Sequence, residues 1–405
     1  MKPPSVMVVA GEASGDTLAA ELVAALRREW TARNADASAD AQPLRTGLEP
    51  RFFGAGGPRM AAAGVALAFD LTRHSVIGLS EAARQVFKFH RLLNRLLRLA
   101  RERQPDLLVC VDFHGFNGRL AAGVRRLARR RRGAFNNWSP RIAQFVSPQV
   151  WASRPGRAAR MAETLDLLLA IFPFEPAWYA ARVPQLRVEF VGHPMVGRFA
   201  SAARRAADAP PGPIVLLPGS RADEVRRHLP LVAETARRIA AARPGSRFVA
   251  VAPDPALGDE LRAGLRSLGT AAAVQVGDIP SALRGAELAL SKTGTVLMEC
   301  AWFGVPAVTF YKTSWPTYWI GRRIIRVKWI SMPNILANEP LFPEFVQAEA
   351  TAENLTRAAL ELLSDAARRA TVRARLAEVV ASLGPPGASE RAARHLADLL
   401  AEPPR

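Results

Sequence analysis

Short apolar runs alternate with longer amphipathic ones along almost the whole chain, and midway the alternation starts afresh. "SVMVVA" (5–10), "RFFGAG" (51–56), "DLLVCVD" (106–112), "IAQFVS" (142–147) and "LDLLLAI" (165–171) read as buried strands. Helical patterns fall between them near 16–31, 80–103, 117–132 and 154–163. The series resumes at "GPIVLLPGS" (212–220) and runs through 246–253, 272–278, 287–293 and 306–312. This pattern predicts an α/β chain of two doubly wound, Rossmann-like units with parallel sheets. The Ala/Pro-rich join near 195–212 has no strand pattern. The expected domains are 1–200 and 210–365, with helices over 366–405 that either pack back on the first unit or exchange within a homodimer. Open parallel sheets bind ligands outside the carboxyl ends of their strands, so two units in tandem predict a central cleft lined by those loops.

Composition narrows the classes. At 405 residues and 49% hydrophobic content the chain can bury a large core, which excludes wholesale disorder. Its longest apolar runs, such as "LDLLLAIFPF" (165–174), fall short of the ~20 residues of a membrane helix. Two cysteines, Cys110 and Cys300, far apart in sequence, make neither a disulfide framework nor a metal site, and a cytoplasmic setting is expected. No His/Cys/Asp/Glu group has metal-ligand spacing, and no Walker or dinucleotide fingerprint occurs, so no metal and no cofactor are expected. A formal charge of +19, mostly arginine, favours anionic partners. Nucleic acid is one such class, but the charge comes without a recognition module, and none is expected to bind.

Four loops carry the candidate chemistry. "GEASGD" closes the first strand, where Gly11 and Gly15 permit close backbone approach and Ser14 or Asp16 can cap the next helix. It reads equally as a structural turn or as a site for an anion or hydroxyl, with Glu12 and Asp16 opposing a bare pyrophosphate. Asp112 ends the third strand, placed either to take a proton from a substrate hydroxyl or to cap the following helix; His114 is the rival base. In "LLPGSRADEV", Gly219 and Ser220 form a turn whose amides suit a phosphate, and Arg221 is either its bidentate partner or a surface arginine. In "LSKTGTVLMEC", Thr293, Gly294 and Thr295 can hold a diphosphate, with Glu299 accepting from ribose hydroxyls. An ordinary strand–turn–helix joint is the alternative there. His193 in "FVGHP" reads as a packed interdomain residue. Helix 80–103 reads either as a membrane-surface helix or as one packed on its own sheet.

These segments, with "FFGAGGPRM" (52–60), "VIGLSEA" (76–82), "VDFHGFN" (111–117), "FVSPQVWASRPGR" (145–157) and "TYWIGRRIIRVKWISMPNILAN" (317–338), resemble the lipid-A-disaccharide synthase family over residues 5–360. That family has the two-Rossmann GT-B fold. The resemblance implies a metal-independent inverting transfer from UDP-2,3-diacylglucosamine to the 6-hydroxyl of 2,3-diacylglucosamine 1-phosphate, giving a β(1→6) disaccharide and UDP. It assigns the acceptor to the first unit (Gly11, Glu12, Ser14, Gly15, Asp16) with Asp112 as base. UDP falls to the second (Gly219, Ser220, Arg221, Thr293, Gly294, Thr295, Glu299, Asn334, Gln347). Another GT-B UDP-sugar transferase or a UDP-sugar 2-epimerase is the alternative, although "GEASGD", "VSPQVWA" and "WISMPNILAN" are not the epimerase pattern. The family's usual Ala-Pro-Asp-Phe-Asn after the strand-end aspartate is "FHGFN" here, so Gly115 stands in place of a second aspartate and His114 in place of a proline. Acyl substrates held in the inner leaflet imply peripheral contact with an anionic inner membrane, through helix 80–103 and "RRLARRRR" (125–132).

Overall fold

The computed structural model describes residues 3–35, 48–74, 82–200 and 211–402. Most of the expected join (201–210) and most of "VIGLSEA" (76–81) lie outside these residues. The chain forms two compact units, Met1–Arg198 with Leu383–Arg405, and Phe199–Ser382.

The first unit is built on β1 (Ser5–Ala10), α1 (Ala13–Ala35), β2 (Arg51–Gly56), α2 (Pro58–Ala62), β3 (Ala66–Asp70), α3 (Ala82–Arg103), β4 (Leu107–Val111) and α4 (His114–Arg131). β5 (Arg141–Phe145), β6 (Leu167–Ala170) and β7 (Arg187–Phe190) complete a seven-stranded parallel sheet of order β3-β2-β1-β4-β5-β6-β7. Strands buried on both faces need continuous apolar runs, which is why β1 and β4 were so legible. β3 and β7 were not anticipated. They are the edge strands, half-exposed throughout, and "RVEF" interrupts its apolar residues with charges as edges do. Met7, Val9, Phe53, Leu108 and Cys110 line one sheet face and pack under Leu96 and Ala100 of α3 and Phe116, Leu120 and Val124 of α4. α3 therefore spends its apolar stripe, Phe89, Leu92, Leu93, Leu96 and Leu97, on this core. The packed reading of that helix holds, and the stripe is not available to a bilayer.

The last helix, Ala388–Ala401, returns to this unit and lies along α1. Arg33 bonds Asp398 at 2.7 Å, Arg28 bonds Glu390 at 3.0 Å, and Arg141 reaches Glu402 at 3.1 Å.

The second unit carries β8 (Ile214–Leu217), β9 (Phe248–Ala252), β10 (Ala273–Val276), β11 (Leu288–Lys292), β12 (Ala307–Tyr311) and β13 (Glu344–Val346). They form one parallel sheet of order β10-β9-β8-β11-β12-β13. β13, three half-buried residues at an edge, is too short for any periodicity to show. Ile214, Leu216, Leu288, Leu290, Val308 and Phe310 pack beneath the Ala222–Ala242 and Ala352–Ser364 helices.

Candidate active site

Each sheet reverses its winding at one place, and the predicted loops sit there. In the first unit β1 lies between β2 and β4, and Ala10 pairs with Val111. The loop after β1 and the one after β4 thus leave the sheet side by side, at the switch point where open α/β sheets bind ligands. In the second unit β8 lies between β9 and β11, and Leu217 pairs with Ser291. That brings the turn 218–221 beside the turn 293–295.

At the first switch point Asp112 (φ 47°) and Phe113 (φ 46°) are both left-handed. Aspartate tolerates that region better than most residues. The helix cap foreseen for Asp112 is not made. Phe113 occupies the N-cap of α4, no side chain caps it, and Asn117 serves the turn instead. Its Nδ2 donates to the backbone carbonyls of Asp112 (2.8 Å), Val111 (3.2 Å) and Val9 (3.3 Å), tying both strand ends together. Gln144, at the end of β5, donates to the Asp112 carbonyl at 3.3 Å.

The Asp112 carboxylate, about a third exposed, meets His114: Nε2 lies 3.3 Å from Oδ1. Burial holds the His114 imidazole below its ordinary pKa, and the Asp112 charge opposes that only partly. A neutral ring with Nε2–H facing the carboxylate leaves Nδ1 as acceptor, 3.5 Å from Gln144 Nε2. The two candidate bases are therefore in direct contact.

"GEASGD" lies against this pair. A Cβ on Gly11 would sit 2.1 Å from the Phe113 ring, so only glycine admits it, and a Cβ on Gly15 would come within 3.8 Å of Asp112 Cβ. α1 begins at Ala13, three residues earlier than expected, so Ser14 and Asp16 are in its first turn and do not cap it. Asp16 is buried. Its carboxylate accepts from Gly57 N (2.7 Å), Arg59 N (3.0 Å) and Met60 N (3.1 Å), so it fastens the "GAGGPRM" turn and does not face a ligand. Ser14 is exposed.

In the second unit the two turns are joined by Glu224 and Lys292. Glu224 Oε1 lies 3.0 Å from Lys292 Nζ and 3.7 Å from Arg221 Nη1, while Oε2 accepts from Ser220 N at 3.1 Å. Burial works against the charged carboxylate, yet Lys292, the Ser220 amide and Arg221 together hold its pKa below the usual range. A Cβ at Gly219 (φ 147°) would strike Glu224 at 2.6 Å. Arg221 is mostly exposed, at the N-cap of the Ala222–Ala242 helix. His228, fully buried in the same helix, sits 2.8 Å from the Pro218 carbonyl at Nδ1 and 3.2 Å from Lys312 N at Nε2. The first contact calls for Nδ1–H; Nε2 lies 3.2 Å from both the Lys312 amide and its carbonyl, and in a neutral ring it accepts from the amide. Burial lowers its pKa and keeps this neutral tautomer, which stitches the ends of β8 and β12 together.

The third turn is less open than expected. Thr293 donates its amide to Phe310 O at 3.0 Å, and its Oγ1 is buried, so Gly294 and Thr295 form the exposed part. Glu299 is half-buried in the first turn of the Val296–Trp302 helix. Two residues assigned to UDP make bonds within the fold itself. Asn334 is fully buried, donating to Phe342 O (2.8 Å) and Glu344 Oε1 (2.9 Å) and accepting from Phe342 N (2.8 Å). Gln347 closes a two-way bond with the Thr313 backbone, accepting at 3.1 Å and donating at 3.0 Å. Only the fold could show that these amides are already taken. Glu224 was visible within "LLPGSRADEV", but its partner lies 68 positions on (292 − 224), beyond any local pattern. His193 is buried, accepting from Met195 N at 3.2 Å through Nδ1. Among the described residues no group of three or more His, Cys, Asp or Glu side chains is placed to hold a metal ion, and no helix is long and apolar enough to cross a membrane.

Two parallel Rossmann-like sheets, each with its polar loops at the switch point, define a GT-B-type glycosyltransferase fold. Solved structures agree at the level of fold. The S. aureus MnaA–UDP co-structure superposes with TM-score 0.59 at 12% identity, covering 98% of this chain and 96% of that one. Acinetobacter baumannii MurG gives 0.54 at 13% identity, covering 98% and 99%. The sequence goes further. Residues 6–396 match the lipid-A-disaccharide synthetase family model. The lipid-A-disaccharide synthase of Myxococcus xanthus (strain DK1622) is 35% identical over 407 residues, 98% of each chain. This chain belongs to the lipid-A-disaccharide synthetase family.

Proposed function

We propose that this chain is a glycosyltransferase that moves 2,3-diacylglucosamine from its UDP conjugate onto the 6-hydroxyl of 2,3-diacylglucosamine 1-phosphate. The products are the β(1→6) disaccharide 1-phosphate and UDP. The observation that carries the reading is the family match along residues 6–396. The epimerase alternative shares the fold but not the family.

In this proposal the acceptor occupies the first unit's switch point and UDP the second's. The 6-hydroxyl approaches Asp112, whose carboxylate takes the proton as the oxygen attacks C1 from the face opposite the diphosphate. His114 turns Nε2 to that carboxylate and Nδ1 to Gln144, which leaves Asp112 to take the acceptor's proton. Negative charge then grows on the departing diphosphate. Arg221, Lys292 and the exposed 294–295 turn supply the positive charge and donors that stabilise it. Lys292 reaches a phosphate by leaving Glu224, so the ion pair stores the cation at the site until the nucleotide arrives. Glu299 accepts from the ribose hydroxyls. Incubating the purified chain with UDP-2,3-diacylglucosamine and 2,3-diacylglucosamine 1-phosphate tests the reading. Equimolar disaccharide and UDP by mass spectrometry support it; UDP-sugar consumed without disaccharide refutes it.

Both substrates carry acyl chains, and the chain is proposed to work from the cytoplasmic side as a peripheral protein on an anionic membrane. Of the segments expected to touch that membrane, α3 buries its apolar stripe. The arginines of 125–132 end α4, at the sheet edge opposite Asp112.

A further inference from the structure

We infer that the segment 315–329 of the second unit is a bilayer-docking surface for anionic lipid. The Trp315–Ile324 helix carries no buried residue, although it is rich in large apolar side chains. Trp315, Trp319 and Ile320 are 53%, 52% and 63% exposed, and Ile325 just beyond is 44% exposed. Elsewhere among the described residues the large exposed hydrophobics, Leu48, Phe87, Phe135 and Val276, stand singly. A segment that turns two tryptophans and two isoleucines to solvent at one place marks an interaction surface.

Its chemistry selects the partner. From Lys312 to Asn338 there is no carboxylate, while Lys312, Arg322, Arg323, Arg326 and Lys328 are basic. The cations sit among the rings: Arg322 lies 5.7 Å from the Trp319 ring and Lys328 4.4 Å from that of Trp329, while Trp315, Tyr318 and Trp319 form a chain of edge contacts at 5.7 Å. Tryptophan and tyrosine settle at the headgroup level, and basic residues beside them draw in anionic headgroups. A second copy of this chain is disfavoured, because a self-complementary contact would press one set of cations against another.

The placement suits the reaction, and the choice of a lipid surface rests on the transferase reading. The helix follows β12, so it springs from the carboxyl edge of the second sheet, where the 218–221 and 293–295 turns also lie. A bilayer held there meets the edge proposed to bind the nucleotide of an acylated donor.

Co-sedimentation with vesicles of phosphatidylglycerol in phosphatidylcholine, against phosphatidylcholine alone, tests the inference on the full chain. Wild type should bind the anionic vesicles and lose them as salt rises. Trp319→Glu with Ile320→Glu should weaken binding at least about tenfold. Arg322→Gln with Arg323→Gln should weaken it by roughly 25-fold, about fivefold per basic residue. Both variants should bind UDP normally by calorimetry and turn over detergent-dispersed substrates at the wild-type rate, while slowing on vesicle-borne substrates. Variants that sediment like wild type overturn the inference. So does unchanged sedimentation with a dimer lost in ultracentrifugation, which would make the face a subunit contact. Wild type that binds vesicles through this face yet forms no disaccharide in detergent refutes the transferase reading and leaves the surface standing.

Discussion

Replacing Asp112 with asparagine isolates the proposed proton transfer from everything else the residue does. The left-handed backbone at 112 is one that asparagine adopts readily. The bonds from Asn117 and Gln144 end on the backbone carbonyl of residue 112 and survive the change. The new Oδ1 can still face His114 Nε2. Stability should therefore move by less than about 1 kcal/mol, within the spread of surface substitutions. What disappears is a base able to take the acceptor's proton, and that loss should lower kcat about 10²- to 10⁴-fold, equivalent to roughly 2.7–5.4 kcal/mol in the barrier. The assay is initial-rate formation of disaccharide at saturating substrates, with UDP affinity by calorimetry and urea unfolding on the same preparations. Asp112→Ala should be equally slow but also less stable by roughly 1–2 kcal/mol, because alanine is strained at this φ. If Asp112→Asn keeps its rate within tenfold of wild type, the carboxylate is not the base. If His114→Ala then abolishes turnover, the proton assignment passes to His114.

Further outcomes follow from the same geometry. Gly11→Ala drives a methyl into the Phe113 ring and should cost about 1–3 kcal/mol of stability and slow turnover while leaving UDP affinity unchanged, which kinetics and calorimetry read together. Lys292→Ala strands the Glu224 carboxylate beside the diphosphate site and should weaken UDP binding roughly tenfold or more; unaltered affinity would remove Lys292 from the site. Asp16→Ala leaves three backbone amides without their acceptor and should lower the unfolding free energy by about 1.5–3 kcal/mol in urea titration. Acid stability has a definite sign. Burial holds His193 at about 4 against an ordinary 6.5, so the unfolded chain takes up the proton first. Its contribution is complete above the unfolded pKa and declines as pH falls through that window, by roughly 2 kcal/mol between pH 7 and pH 5. Glu175, which burial lifts to about 7, acts in the opposite sense over the same range. The informative quantity is therefore the difference between wild type and His193→Asn, whose Oδ1 can still accept from Met195 N; a pH-independent difference would refute the assignment.

Much of the architecture was readable beforehand because buried parallel strands advertise themselves. Every strand missed, β3, β7 and β13, is at a sheet edge, where solvent breaks the apolar run or the strand is too short to show one. Loop positions were legible for the same reason, since they are set by where strands stop. Which side chains in those loops face a ligand was not. Asp16, Asn334 and Gln347 have the polar chemistry of ligand-binding residues, yet each spends it on other groups of the chain brought close only by folding. Conversely, Glu224 and Lys292 become partners through the pairing of β8 with β11, a neighbourhood that no local spacing encodes.

The return of the Ala388–Ala401 helix to α1 makes the first unit discontinuous. During synthesis the strands of that unit emerge early but wait for the final turns of chain before the α1 surface is covered. The whole second unit is produced in between. Clipping the polypeptide near residue 385 would thus injure the half that was made first. A nascent chain stalled before Ala388–Ala401 should present the bare flank of α1 around Arg28 and Arg33 to chaperones, while the later half is already able to close its own core.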